Sequence, residues 1–251
     1  MYRVTIRFYE ELNDFLPPER RKRDFEFEFS GRRSIKDLIE SLGVPHVEID
    51  LILVNGESVG FDRIVADGDR ISVYPVFETL DIGNVTRLRP DPLRDPRFVL
   101  DVHLRKLARH LRLLGFDVDW LPDRDDDALA EIAERDGRIL LSRDRQLMMR
   151  KIVARGLYVR NTDPEKQVEE VLDRLHLRDA CRPFTRCVEC NGLMEPLDTD
   201  ASGFDAAAAI PPGVLAWCRE YYRCAECGRV YWKGSHYDKL KKRVEGMLNG
   251  G

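Results

Sequence analysis

No stretch of the 251-residue chain approaches the run of roughly eighteen apolar residues that a membrane span requires. The opening MYRVTIRFYE holds no apolar segment of signal-peptide length either, so the expectation is a cytoplasmic protein without membrane contact. An excess of positive charge is also missing. Lys and Arg number 41 against 45 Asp and Glu, a formal net charge of -4, so no global field draws the chain onto nucleic acid and any such binding needs a local basic surface. Nothing in the composition signals disorder, since 43% of residues are hydrophobic and a chain of this length can bury a sizeable core. Cysteine is scarce, with six residues. Four of them form two C-x-x-C pairs, Cys187/Cys190 and Cys224/Cys227, and in a reducing compartment such pairs indicate metal rather than disulfides.

Near the N-terminus, apolar residues alternate at Tyr2, Val4, Ile6 and Phe8, and again at Phe25, Phe27 and Phe29, which predicts two half-buried strands. Ser34 reads as a helix N-cap with Asp37 in the first turn, and Ile35, Leu38, Ile39 and Leu42 keep helical spacing up to Gly43. Leu51 to Val54, the turn pair Asn55-Gly56, and Asp67-Gly68-Asp69 before Ile71 to Tyr74 complete a β-β-α-β-β order. That order, with VNGESV and ADGDRISVYPV, is similar to the ubiquitin-like β-grasp proteins of the ThiS/MoaD sulfur-carrier type. Sulfur carriers end in a free Gly-Gly, whereas Val76-Phe77 here runs on into Glu78, which argues against carrier chemistry. Residues 1–78 are therefore read as a binding or regulatory module that would meet a protein partner. Gly250-Gly251 reads as a flexible tail.

Pro90, Pro92 and Pro96 among charged residues mark a linker over 79–96. From residue 97 strands and helices alternate. Strands are expected at Phe98–Leu100, Phe116–Trp120, Arg138–Leu141 and Leu157–Val159, with helices between them and a last helix opened by Asp163-Pro164. Such alternation predicts an α/β core with a mostly parallel sheet, over 97–180.

Open parallel sheets gather ligands beyond the carboxyl ends of their strands. Asp101 directly follows the first of these strands, Asp144 closely follows the third, and Asp125-Asp126-Asp127 opens the helix after the second. Converging carboxylates repel unless a cation lies between them, and hard oxygen ligands suit Mg²⁺ or Mn²⁺, which can activate water against a phosphodiester. Each member of the 125–127 run is equally placed to cap its helix. Arg105, Lys106, Arg109 and Arg112 on the helix after Asp101, with Arg143, Arg145, Arg150 and Lys151 after the third strand, would supply the local positive surface, or a solvated helix face. His103 and His110 read as structural or surface residues.

FVLDVHLRKLARHLRLLGFDV and DDDALAEIAERDGRILLSRDRQLMMR resemble the Mut7-C RNase domain, a PIN-like fold. The resemblance implies a ribonuclease with catalytic, metal-binding aspartates at Asp101, Asp126 and Asp144, the middle position shared with its two neighbours as candidates. In the C-terminal part, RCVECNG and YYRCAECGRVYWKGSH resemble the same family's appended zinc ribbon. Two knuckles of C-x-x-C supply the four corners of a structural Zn²⁺ site by spacing alone, at Cys187, Cys190, Cys224 and Cys227. Cys181 and Cys218 lack spacing-matched partners, and the insert holding Ala206–Ala209 and Pro211-Pro212 reads as a hairpin extension or loop. Trp232 and His236 are candidate RNA contacts by stacking and phosphate contact, with a packed Trp equally open. The expectation is thus three modules, 1–78, 97–180 and a zinc ribbon with a basic helix over 181–251. RNA is the expected partner and Zn²⁺ with Mg²⁺ or Mn²⁺ the expected metals. The alternatives are a non-catalytic RNA- or ribosome-binding protein and a sulfur-carrier or ubiquitin-like factor.

Overall fold

The computed structural model describes residues 1–75, 88, 96–199, 206–234 and 237–249. The expected tail at Gly250-Gly251, His236 and all of the expected linker except Leu88 and Pro96 lie outside them. In chain order, the first elements are β1 (Tyr2–Phe8), β2 (Phe25–Phe29), α1 (Ile35–Ser41), β3 (Ile49–Val54), β4 (Glu57–Ser58) and β5 (Arg70–Pro75). There follow β6 (Arg97–Leu100), α2 (Arg105–Leu113), β7 (Asp117–Asp119), α3 (Asp126–Arg135), β8 (Ile139–Ser142), the single turn α4 (Arg145–Met148), β9 (Gly156–Tyr158) and α5 (Pro164–Arg174). Last come β10 (Met194–Leu197), the short turns α6 (Ala206–Ala209) and α7 (Pro212–Leu215), β11 (Tyr221–Cys224), β12 (Val230–Trp232) and α8 (Tyr237–Asn249). Among the described residues no helix is long and apolar enough to cross a membrane.

The chain divides into two compact units, the first made of residues 1–101, 124–160 and 174–176. Within it the N-terminal sheet runs in the order β2-β1-β5-β3-β4, with β1 parallel to β5 and the other pairs antiparallel. Period-two alternation along β1 buries Val4, Ile6 and Phe8 against Ile35, Leu38 and Ile39 of α1, as the pleat requires. The Ser34 hydroxyl accepts the Asp37 amide hydrogen at 3.1 Å and caps α1. Asn55 and Gly56 both adopt positive φ, the backbone that a two-residue hairpin demands, and so create the short β4 beyond the expected order.

The same unit holds the parallel strands β6, β8 and β9, paired in that order. Val99 and Leu140 pack with Leu129, Ala130 and Ala133 of α3 and with Leu147 and Met148 of α4. Val47, from the N-terminal domain, is fully buried in that cluster.

The second unit comprises residues 102–123, 161–173 and 177–251. In α2, Leu107, Ala108 and Leu111 are fully buried, and the helix ends at Gly115 with φ +95°. A Cβ there would lie 2.1 Å from the Arg182 carbonyl oxygen, so only glycine admits this crossing of the chain. The Asp163 carboxylate accepts the Glu165 and Lys166 amides and opens α5 at Pro164. An antiparallel sheet, β10-β11-β12, carries the cysteine region. The insert expected as a loop or hairpin extension instead forms α6 and α7, because its alanines favour helix and Pro212 suits a first turn.

Candidate metal centres and nucleic-acid surface

Asp101 leaves the carboxyl end of β6, where its amide donates to the Leu141 carbonyl of the neighbouring β8 at 3.1 Å. The side chain is buried, and the Ser142 hydroxyl donates to its Oδ2 at 2.8 Å. The same hydroxyl oxygen accepts the Asp144 amide hydrogen at 2.9 Å. Ser142 thereby couples the ends of two adjacent parallel strands. The Asp144 carboxylate caps α4, accepting from the amides of Gln146 at 2.7 Å and Leu147 at 3.3 Å.

The three consecutive aspartates take different roles. Asp125 is the N-cap of α3 and accepts the Ala128 amide at 2.8 Å. Asp127 is exposed and pairs with Arg150. Asp126 does neither. Its carboxyl is pushed above the usual range first by burial, then by the Asp144 charge, with smaller pushes from Asp101 and Asp125 and an opposing pull from Arg150. Part of that upward shift is repulsion from the neighbouring carboxylates. Among the described residues, however, the three aspartates are not among the sets of metal-ligating side chains whose atoms all fall within 4.8 Å of one another.

The set that does meet that spacing is Cys187, Cys190, Cys224 and Cys227. The sulfurs of Cys187 and Cys227 lie 3.8 Å apart and those of Cys190 and Cys224 3.3 Å apart. A tetrahedral zinc with Zn–S bonds of about 2.3 Å has sulfurs about 3.8 Å apart, so the four thiols fit that ion. Two matching turns build the cage. Cys187 N–H donates to Gly192 O and Asn191 N–H to Cys187 O, while Cys224 N–H donates to Arg229 O and Gly228 N–H to Cys224 O. Gly192 has no side chain because a Cβ would stand 2.7 Å from the Cys224 sulfur.

Thiol acidity is uneven across the cage. Burial works against Cys187, but the Tyr231 hydroxyl at 3.0 Å and the amides of Cys190 and Glu189 bring it down to about 7. Burial and neighbouring thiols push Cys190 up to about 12, and Cys227 is raised likewise. Such thiols share one site as thiolates only around a cation. Tyr231 escaped the sequence reading, although its place two residues into the hairpin after the second knuckle was the available signal.

The basic residues expected to form an RNA surface fall in different surroundings. Arg105 is exposed with its guanidinium 5.7 Å from the Trp120 ring centroid, and Arg109 pairs with Glu189 at 2.6 Å. With Lys106, His110 and Arg243 they line a cleft of about 930 Å³ in the second unit, whose wall also carries Asp163 and Glu165. Arg112 requires correction as an RNA contact. It is 4% exposed, and its guanidinium donates to the carbonyls of Val118, Glu189, Val188 and Trp120. Its helical position turns inward toward the first knuckle, so it ties β7 to the Cys187 turn. Arg143 donates to the Arg160 carbonyl at 2.9 Å, and Arg145 lies over the Phe15 and Tyr158 rings. Trp232 is half-buried against Ile210, Cys218 and Tyr221. Trp217, not anticipated, is 54% exposed.

Comparison with known proteins adds the lineage. Residues 1–81 match the family model described as Mut7-C ubiquitin, and residues 96–244 match that described as Mut7-C RNAse domain. A human protein named "Exonuclease mut-7 homolog" is 25% identical over 231 aligned residues, covering 62% of this chain and 26% of the human protein. The chain thus spans about a quarter of that relative's length. No solved structure matches it. An N-terminal ubiquitin-like domain and a later α/β domain with parallel strands agree with both models, and the chain belongs to the Mut7-C RNase domain family.

Proposed function

We propose that this protein is a divalent-metal-dependent ribonuclease whose PIN-like core hydrolyses RNA phosphodiester bonds at Asp101, Asp126 and Asp144, with a structural zinc ribbon at Cys187, Cys190, Cys224 and Cys227. The division into modules 1–78, 97–180 and 181–251 and a cytoplasmic location belong to the same proposal. The observation that carries it is the Ser142 hydroxyl, which joins the Asp101 carboxylate to the Asp144 backbone across two parallel strand ends. A bound Mg²⁺ or Mn²⁺ would supply an activated water and charge neutralisation at the phosphate. Ser142 orients the Asp101 carboxylate and Asp126 does not cap its helix, and these are the carboxylates assigned to the cation and its waters. Arg105, Lys106 and Arg109 offer the positive surface for the RNA backbone that the net charge of -4 withholds. The four-sulfur site leaves no open position for catalysis, so its zinc would hold the fold together.

Purified protein with labelled single-stranded RNA and Mn²⁺ tests this against Asp101→Asn and Asp144→Asn. Asparagine caps helices as well as aspartate, so loss of activity in the second variant would not reflect loss of the cap. Cleavage that needs Mn²⁺ and falls at least about 100-fold in both variants is expected, in line with removal of a charge-stabilising group. Equal cleavage by all three proteins, or RNA binding with no cleavage by any, would favour the non-catalytic binding alternative.

A further inference from the structure

Asp144 is held from both sides by residues that the ubiquitin-like domain anchors. On one side, Arg143 donates to the Arg160 carbonyl, and the Arg160 guanidinium reaches Glu48 and Asp14, each at 3.2 Å. On the other, the Arg145 guanidinium sits 5.1 Å from the Phe15 ring centroid and 5.7 Å from that of Tyr158, while Tyr158 meets Phe15 edge-on at 5.4 Å. Arg160 also lies over Phe15, at 5.0 Å.

Glu48 fixes this arrangement. It is fully buried, accepts the Tyr158 amide at 2.5 Å and pairs with Arg174 at 2.7 Å as well as with Arg160. A buried carboxylate is tolerated only where its partners are in place, so the pairings admit one docked geometry and penalise others. Two further ties agree. His46 bridges Glu40 at 2.7 Å and the Val153 carbonyl at 2.9 Å, and Val47 packs into the cluster that contains Leu147 and Met148 of α4. An arm that served only to recruit partners would not need to bury charge against the core.

We infer that the ubiquitin-like domain is a built-in positioning element for the Ser142–Arg145 loop, with Phe15 and Glu48 as its positioning residues. The inference rests on the reading of Asp144 as part of the metal site. Asp144 lies two residues beyond the end of β8 as the N-cap of a one-turn helix, so besides Ser142 and the Gln146 and Leu147 amides its position depends on these flanking contacts. Phe15 and Glu48 would set the loop, and the loop would set how well the carboxylates take up a cation.

The test uses the full chain as Phe15→Ala, Phe15→Tyr and Glu48→Gln, with exposed Arg3→Ala as the control. Mn²⁺ binding is read by electron paramagnetic resonance against an Asp101→Asn blank. Amide exchange at 142–147 and the Mn²⁺ concentration for half-maximal RNA cleavage are read alongside. Residues that orient metal ligands typically contribute 10- to 100-fold in affinity, so Phe15→Ala and Glu48→Gln should each weaken Mn²⁺ binding about tenfold and speed exchange at 142–147. Phe15→Tyr, which keeps the ring, and Arg3→Ala should behave as the unmodified protein. Unchanged Mn²⁺ affinity and exchange in both Glu48→Gln and Phe15→Ala would overturn the positioning role alone. No Mn²⁺ bound by the unmodified chain above the blank would overturn the metal reading, and this inference with it.

Discussion

Replacing Arg112 by methionine separates a structural clamp from an RNA contact, because the two roles predict opposite outcomes. The guanidinium makes its shortest bonds to the Glu189 carbonyl at 2.7 Å and the Val118 carbonyl at 2.9 and 3.1 Å. Methionine fills similar space but leaves these carbonyls without their donor, at about 1–3 kcal/mol for each buried group left unpaired. Two well-formed sites therefore imply a loss of about 2–6 kcal/mol. In a chain of this size that corresponds to a melting point lower by roughly 4–24 °C. Since Glu189 lies inside the first knuckle, zinc should also escape faster to a chelator. Differential scanning fluorimetry and a colorimetric zinc-release assay measure both. An Arg112→Met protein that melts within about 1 °C of the parent, keeps its zinc and yet binds RNA more weakly would refute the clamp and restore the surface role.

Gly115→Ala combines a left-handed backbone with a Cβ 2.1 Å from the Arg182 carbonyl, and should cost at least about 2 kcal/mol in chemical denaturation. The His110 imidazole is held below its ordinary value, first by burial and then by Arg243. The unfolded chain thus takes up a proton that the folded one refuses, so stability falls as pH drops below about 6.5, and His110→Gln should flatten that part of the urea-midpoint profile. Zinc analysis should find about one ion per chain, falling below half in Cys187→Ser or Cys224→Ser, with faster amide exchange over 185–199 and 221–232.

What was legible in the sequence followed from local rules. Val4, Ile6 and Phe8 announce β1 by alternation, Ser34 announces α1 by its cap, and each C-x-x-C announces a two-thiolate turn, although the two turns meet across 34 and 40 positions. Arg112 was misread because helical periodicity shows which residues share a face but not which polar side chain bends inward to a carbonyl 77 residues away. Asp125, Asp126 and Asp127 were inseparable by spacing, and became distinct only when Ala128 claimed the first and Arg150 the third. The linkage through Glu48, Arg160 and Arg174 was invisible for the same reason, since its partners are 112 and 126 positions apart.

The central claim is that Asp101, Asp126 and Asp144 form one divalent-metal site. Crystals of the full chain soaked in Mn²⁺ and measured at the manganese absorption edge test it directly. The account predicts an anomalous peak bonded to at least Asp101 and one of the other two carboxylates, with the third joined through water, and the same peak absent in Asp101→Asn crystals. A peak elsewhere, or no peak beside these three at saturating Mn²⁺, would contradict it.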